Sequence, residues 1–367
     1  MTKIKIGIRG AYGEQNFGDD ALMLFLYKWS KKNNLGIKFI GNENEYISQL
    51  IPADSYIFKT QFHKNKFDIL ILGGGTQFFS FENSPKPTNK LTLLFTKPQV
   101  FFSKVYGALE KKLIYKQTNY KYLYAAGIGL GPFVKDSENE ILAKEQLSKM
   151  QGLYVRDTYS FNFAKSINHN TFLGTDICFL PDIYDMSPYY NTSDKVVKVG
   201  IIVRDWNYSK AGQNYLSKII KQARKISDAG YFVTFICFKN EPQCEELIDQ
   251  NNFEKLKWDP IKNTLEDFIK ELSLFDLFVS ARFHGVIFGA LLGVPSIAIE
   301  VEPKLKVTKE LLDDGVEVWE QPFSSELLDI IQKLNYLNAK QSLKTAVNTQ
   351  RDRAKEMFNR LLAAITK

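Results

Sequence analysis

The chain has 367 residues, 44% of them hydrophobic and 24% charged, with a net charge of +7. That length suggests about two domains with ample core, and no run approaches the roughly 20 apolar residues of a membrane span. Cys178, Cys237 and Cys244 are odd in number and widely spaced, which argues against a disulfide framework or a zinc pattern and predicts reduced, buried thiols in a cytoplasmic protein.

Lys3 to Arg9 reads as a strand that starts without a signal-peptide pattern and runs into a glycine-containing turn. Ala21 to Lys31 is predicted as a helix with Leu22, Phe25, Leu26 and Trp29 on its apolar face. Ile37 to Ile40, Phe67 to Leu72 and Lys121 to Ala126 are further apolar strands, and Leu153 to Arg156 and Asp176 to Leu180 read as shorter ones near the sheet edge. Between Pro181 and Lys195 the pattern lapses. It restarts with strands Lys198 to Arg204 and Tyr231 to Phe238, helices Asn214 to Ala229 and Thr264 to Leu272, and strands around Phe275 and Ser296. Near-continuous apolar strands separated by helices indicate parallel sheets covered on both faces. The expected organisation is an α/β protein of two Rossmann-like lobes, residues 1–190 and 195–340, with a charged amphipathic helix in 341–367 that crosses back to the first lobe.

The charge is concentrated. From Lys86 to Lys121, eight lysines stand against one acid, Glu110, so that segment alone carries +7. A helical hairpin with solvated lysines accounts for it. The sharper alternative is a docking surface for anionic lipid or a phosphorylated acceptor; no nucleic-acid-binding motif accompanies the charge.

The turns after the strands carry the candidate chemistry. Ser280-Ala-Arg-Phe-His-Gly285 follows the apolar run Leu272 to Val279, which reads as a buried strand, and opens into a short apolar helix stopped by Gly293 and Pro295. Arg282 and His284 are thereby expected at a sheet's carboxyl edge beside a helix N-terminus, a place that favours phosphate or carboxylate. In the first turn, Gly10 to Asp20, either Asp19 or Asp20 is expected to cap the following helix, leaving Glu14, Asn16 and the other aspartate for ligand hydroxyls. Leu72-Gly-Gly-Gly-Thr-Gln77 offers backbone N–H groups to an anion at Gly74 and Gly75, though tight helix–sheet packing explains the glycines equally well. Neither these turns nor Ala126 to Pro132 match the dinucleotide or P-loop fingerprints. Arg156, Arg204 and Lys304 also end or follow strands. Each alone reads as an ion pair with an adjacent acid, yet strand ends of doubly wound sheets converge on a ligand crevice.

Taken in order, N-F-G-D-D-A-L (16–22), L-G-G-G-T (72–76), V-R-D (155–157), G-T-D (174–176), L-P-D (180–182), S-A-R-F-H-G (280–285), G-V-P (293–295) and E-P-K (302–304) resemble the polysaccharide pyruvyl transferase family. The E-P-K segment departs from the aromatic–acid–Pro–Lys sequence expected most often. The resemblance implies a fold similar to GT-B glycosyltransferases, with the site in the cleft, an acceptor-side first lobe and a donor-side second. It implies transfer of the pyruvyl group of phosphoenolpyruvate to two hydroxyls of a sugar in a glycan or glycan precursor, with a sugar or lipid-linked glycan as acceptor, giving a cyclic ketal and phosphate with no metal or organic cofactor. On this resemblance Arg156, Arg282 and Lys304, helped by Arg204, bind the donor. His284 is the acid/base with Arg282 beside it, and Glu14, Asn16 and Asp19 orient the acceptor. The expected location is cytoplasmic, with peripheral contact at the inner membrane face through 86–121. Two rival readings remain: a nucleotide-sugar glycosyltransferase of the same fold, and a non-catalytic glycan- or membrane-binding protein.

Overall fold

The computed structural model describes residues 4–80 and 119–366. All but the last three residues of the basic segment 86–121 therefore lie outside the described residues.

Seven strands form the first sheet: β1 (Ile6–Arg9), β2 (Ile37–Gly41), β3 (Tyr56–Phe58), β4 (Phe67–Gly73), β5 (Tyr120–Ile128), β6 (Gly152–Val155) and β7 (Thr171–Leu173). Six form the second: β8 (Lys198–Val203), β9 (Phe232–Cys237), β10 (Glu254–Lys257), β11 (Leu277–Ser280), β12 (Ser296–Ile299) and β13 (Val316–Trp319). Every pairing is parallel. The orders are β3-β2-β1-β4-β5-β6-β7 and β10-β9-β8-β11-β12-β13, so each sheet reverses direction at its first strand, where open α/β sheets bind ligands. The central strands read as apolar runs because both their faces are buried: in β8, Val199 to Val203 are all buried.

The helices used below are α1 (Phe17–Lys32), α2 (Ile47–Leu50), α3 (Glu138–Ser148), α4 (Thr158–Lys165), α5 (Lys210–Asp228), α6 (Pro242–Gln250), α7 (Leu265–Leu272), α8 (Phe283–Leu291), α9 (Lys304–Leu312), α10 (Leu327–Lys333) and α11 (Tyr336–Ile365). Among the described residues, no helix is long and apolar enough to cross a membrane.

Three expectations are corrected. Asp176 to Leu180 is not a strand. The Asp176 carboxylate accepts the Cys178 N–H at 3.1 Å and caps a single 3₁₀ turn, Ile177–Phe179, a local bond that competes with a sheet ladder. The edge strand is the more polar Thr171–Leu173, paired with β6. The run Leu272 to Val279 is not one strand either: α7 ends at Leu272, and Asp276 accepts the backbone N–H groups of Val197 and Lys198 at 2.9 and 2.8 Å before β11 begins. Finally, α1 starts four residues earlier than expected, so Asp19 and Asp20 lie inside its first turn and neither caps it. All three cysteines are free and buried, Cys178 in the 3₁₀ turn and Cys244 in α6.

The early start of α1 joins the lobes. Phe17, fully buried, packs its ring against Phe238, Trp258, Phe268 and Phe288 of the second lobe, with centroids 4.7, 5.4, 4.8 and 4.7 Å away. Its N–H donates to Phe238 O at 2.9 Å. Burying one such ring contributes roughly 1.5–3 kcal/mol. One turn on, the buried Asp20 carboxylate accepts from Tyr46 Oη (2.7 Å) and from Trp258 Nε1 of the other lobe (2.9 Å). Burial outweighs these bonds and pushes its carboxyl up to about 7. The last helix, α11, touches both lobes: Phe358 lies 4.9 Å from Trp29, and Gln350 Nε2 donates to Leu311 O at 2.9 Å.

Candidate active site

The facing strand ends enclose a cavity of about 500 Å³. Its lining includes Arg156, Arg204, Arg282, His284 and Lys304, together with Glu14, Asn16, Asp19 and Gly75. Nine of the ten residues singled out from the sequence therefore meet in one place. Gly74 is the exception, because its N–H donates to Ala126 O at 2.9 Å and continues the β4–β5 ladder. The starts of α1, α8 and α9 all contribute to the lining, and helix N-termini favour anions.

Each cation is held by a carboxylate, though not always the adjacent one. Arg156 is 2% exposed, with Nε 3.5 Å from Asp157 Oδ2 and Nη1 3.6 Å from Asp176 Oδ2. Its Nη2 donates to Thr76 Oγ1 at 3.1 Å, and its guanidinium lies 4.0 Å from the Phe283 ring centre. Arg204 pairs with Glu302 rather than with its neighbour Asp205. Asp205 instead accepts the N–H groups of Gln243 and Cys244, both at 2.9 Å, at the start of α6. Lys304 Nζ lies 2.8 Å from the same Glu302. Burial opposes charge on Glu302, but Lys304 and Arg204 more than offset it and hold its carboxyl below the usual value. Burial also lowers Lys304, to about 8, against the pull of Glu302. Arg282 pairs with Glu241, and its Nε donates to Val203 O at 3.3 Å. Burial first, and Arg204 second, disfavour its charge.

His284 sits in the first turn of α8 with Nε2 3.4 Å from Asp176 Oδ2. Its Nδ1 lies against Gly18 of α1, where an added Cβ would come within 2.3 Å of that atom. In the first lobe, Glu14 accepts from Asn42 Nδ2 and lies 3.1 Å from Lys239 Nζ, while Asn16 donates to Asp19.

Sequence reading missed the acids Asp176, Glu241 and Glu302. Glu302 and Asp176 stood within quoted motifs, but Glu241 lies in a polar loop 41 residues before Arg282 and left no signal. Spacing also hid a cluster: ligand-type atoms of Asp176, Cys178 and His284 lie within 4.8 Å of one another. The Arg156 guanidinium, 3.6 Å from Asp176, gives that carboxylate a cation of the protein's own.

A family model described as polysaccharide pyruvyl transferase matches residues 16–303. The chain belongs to that family. No curated protein matches its sequence significantly. Among solved structures, S. aureus MnaA with UDP superposes at TM-score 0.60 with 12% identity, covering 99% of this chain and 97% of that one. Anabaena HepE in complex with UDP and glucose gives 0.57 and 11%, over 97% and 99%. UDP-GlcNAc 2-epimerase from Neisseria meningitidis bound to UDP-GlcNAc gives 0.54 and 11%, over 98% and 99%. At such identities the likeness is one of fold, and it extends over both lobes of this family member.

Proposed function

We propose that the protein transfers the pyruvyl group of phosphoenolpyruvate to two hydroxyls of one sugar in a glycan or glycan precursor, forming a cyclic ketal and releasing phosphate. The observation that carries this reading is the convergence of Arg156, Arg204, Arg282 and Lys304 with His284 on one cavity at three helix N-termini. The donor presents a phosphate and a carboxylate, which call for several cations, among which arginine suits bidentate contact. Arg282, Arg204 and Lys304 hold one anionic end and Arg156 the other. Because each cation already carries a carboxylate partner, the array is preorganised before donor arrives.

In the reaction, protonation of the methylene carbon makes C2 oxocarbenium-like, and the first sugar hydroxyl attacks it. Phosphate leaves, and the second hydroxyl closes the ring. Two hydroxyl protons are released; one replaces the proton spent on the methylene and the other departs with phosphate. His284 is the group placed to move them.

The test is calorimetry of phosphoenolpyruvate binding to wild type, Arg282→Ala and Arg156→Ala, with thermal melts to show that each is folded. Binding weakened by at least about 1.5 kcal/mol in both variants is expected, the lower range for charged hydrogen bonds. Folded wild type that binds no phosphoenolpyruvate, with or without a crude glycan pool, would overturn the reading.

A further inference from the structure

Asp176 is among the most enclosed charged residues of the molecule, with no exposed surface. It follows β7 in the turn Gly174-Thr-Asp176, pressed so tightly on α11 that a Cβ at Gly174 would come within 2.3 Å of Met357 Sδ. Its two oxygens do different work. Oδ1 accepts the Cys178 N–H and fixes the carboxylate plane. Oδ2 faces His284 Nε2 at 3.4 Å and Arg156 Nη1 at 3.6 Å. Both Oδ2 and His284 Nε2 are buried without a hydrogen-bond partner. They are each other's near neighbours at slightly more than bonding distance, a separation that commonly tightens when a ligand binds. Burial works against the charge on Asp176, but His284, Arg156 and the Cys178 amide prevail, so the carboxyl is held below its usual value and stays ionised.

The three groups come from separate parts of the chain: Arg156 follows β6, Asp176 follows β7, and His284 belongs to α8 of the second lobe. A buried carboxylate facing one imidazole nitrogen fixes which nitrogen carries the proton and which is left to exchange it. We infer that Asp176 is a positioning residue, holding His284 as the Nε2–H tautomer, leaving Nδ1 as the proton-exchanging atom and tying that ring to Arg156. Gly18 belongs to the same device, because any side chain there would displace Nδ1. The proton-transfer consequence rests on the pyruvyl-transfer reading. The tautomer does not.

The chain has only three histidines, so ¹⁵N imidazole NMR of the full-length protein can resolve His284, assigned by its loss in His284→Gln. In wild type, above the pH at which the ring is neutral, the ¹⁵N shifts are expected to report a predominant Nε2–H form. A predominant Nδ1–H form would overturn the inference without any substitution at Asp176. Asp176→Asn keeps shape and removes charge. It should erase the tautomer preference and lower kcat by at least about tenfold while changing phosphoenolpyruvate affinity less, as expected when an orienting carboxylate is lost. A folded Asp176→Asn protein with unchanged tautomer ratio and unchanged kcat would refute it. Should phosphoenolpyruvate prove not to be the donor, the NMR result still stands on its own, so the two failures are distinguishable.

Discussion

Where the second lobe meets the cleft, its strand ends carry Arg204 after β8, Glu241 after β9, Arg282 after β11, and Glu302 and Lys304 after β12. The corresponding ends in the first lobe carry Ala11, Glu14, Asn16 and Asp19 after β1, Lys59 after β3, Gly75, Thr76, Gln77 and Phe79 after β4, and Arg156 after β6. Both sheets reverse at their first strand, so topology places both sets alike and only the side chains differ. One lobe holds an array of cations interleaved with buried acids. The other brings two cations, Lys59 and Arg156, set among small and neutral residues and the acids Glu14 and Asp19. Two glycines leave room there: Gly18 makes space for His284 from the opposite lobe, and Gly129 for Arg156. A shared fold thus fixes where the lining residues stand, while the side chains set how much charge each lobe brings to the cleft.

The sharpest way to break this contrast is to unbalance the charged lobe. Glu302 is 3% exposed and serves Arg204 and Lys304 together, whose side chains remain 22% and 20% exposed. Glu302→Gln leaves two cations facing one another without their carboxylate. The expected loss of stability is about 3 kcal/mol, the low end for breaking a buried pair because both cations keep some contact with water. Urea unfolding checks it, and inorganic phosphate should restore more stability to the variant than it adds to wild type. An unchanged midpoint, with phosphate acting equally on both proteins, would mean the acids are incidental to the array.

How far the sequence alone reaches follows from the same contrast. Arg282 and His284 could be placed because an apolar strand, a tight turn and an apolar helix bracket them, and those periodicities are local. Central strands could be read because burial on both faces leaves a continuous apolar run. The edge strands β3, β7, β10 and β13 escape because they are short and only partly buried, so their composition blends into loops. Asp176 is masked by the apolar Ile177 to Leu180 behind it, a run with the composition of a strand although the Asp176 carboxylate caps a turn there. Glu241 and Gly129 mattered only through contacts with Arg282 and Arg156, which no spacing reveals. The cleft itself depends on Phe17 entering a socket whose four rings are spread from Phe238 to Phe288.

The roomy lobe can be tested by filling it. An alanine at position 129 would put its Cβ 2.7 Å from Arg156 Nη2 and 2.8 Å from Nε. Arg156 cannot swing aside cheaply, since Phe283 covers its face and Thr76 takes a hydrogen bond from its tip. Gly129→Ala should therefore cost about 1–2 kcal/mol of stability, as overpacking does, and weaken phosphoenolpyruvate binding by about tenfold, equivalent to roughly 1.4 kcal/mol. Calorimetry paired with melting curves separates the two effects. Normal donor affinity in a destabilised variant would show that Arg156 is structural and that the first lobe does not touch the anion.

The smallest expected effect is on pH, and it concerns Lys304. Its ammonium is lowered to about 8, chiefly by burial. The sign follows directly: below about 8 the side chain is charged and adds to the array, and as pH rises through that value the charge is lost. Donor affinity should then fall between pH 7.5 and 9, a window above the second ionisation of a phosphate monoester near 6, so the ligand's own charge stays constant. Bound phosphate favours the ammonium and shifts the fall upward, which limits the loss to less than about tenfold per pH unit. Arg204 and Arg282 stand in the same array, so Lys304→Arg is the discriminating control. An arginine there keeps its charge throughout and should flatten the profile. If the decline persists in Lys304→Arg, the titrating group lies elsewhere in the cleft, with Arg282 the next to test because burial lowers it to about 9.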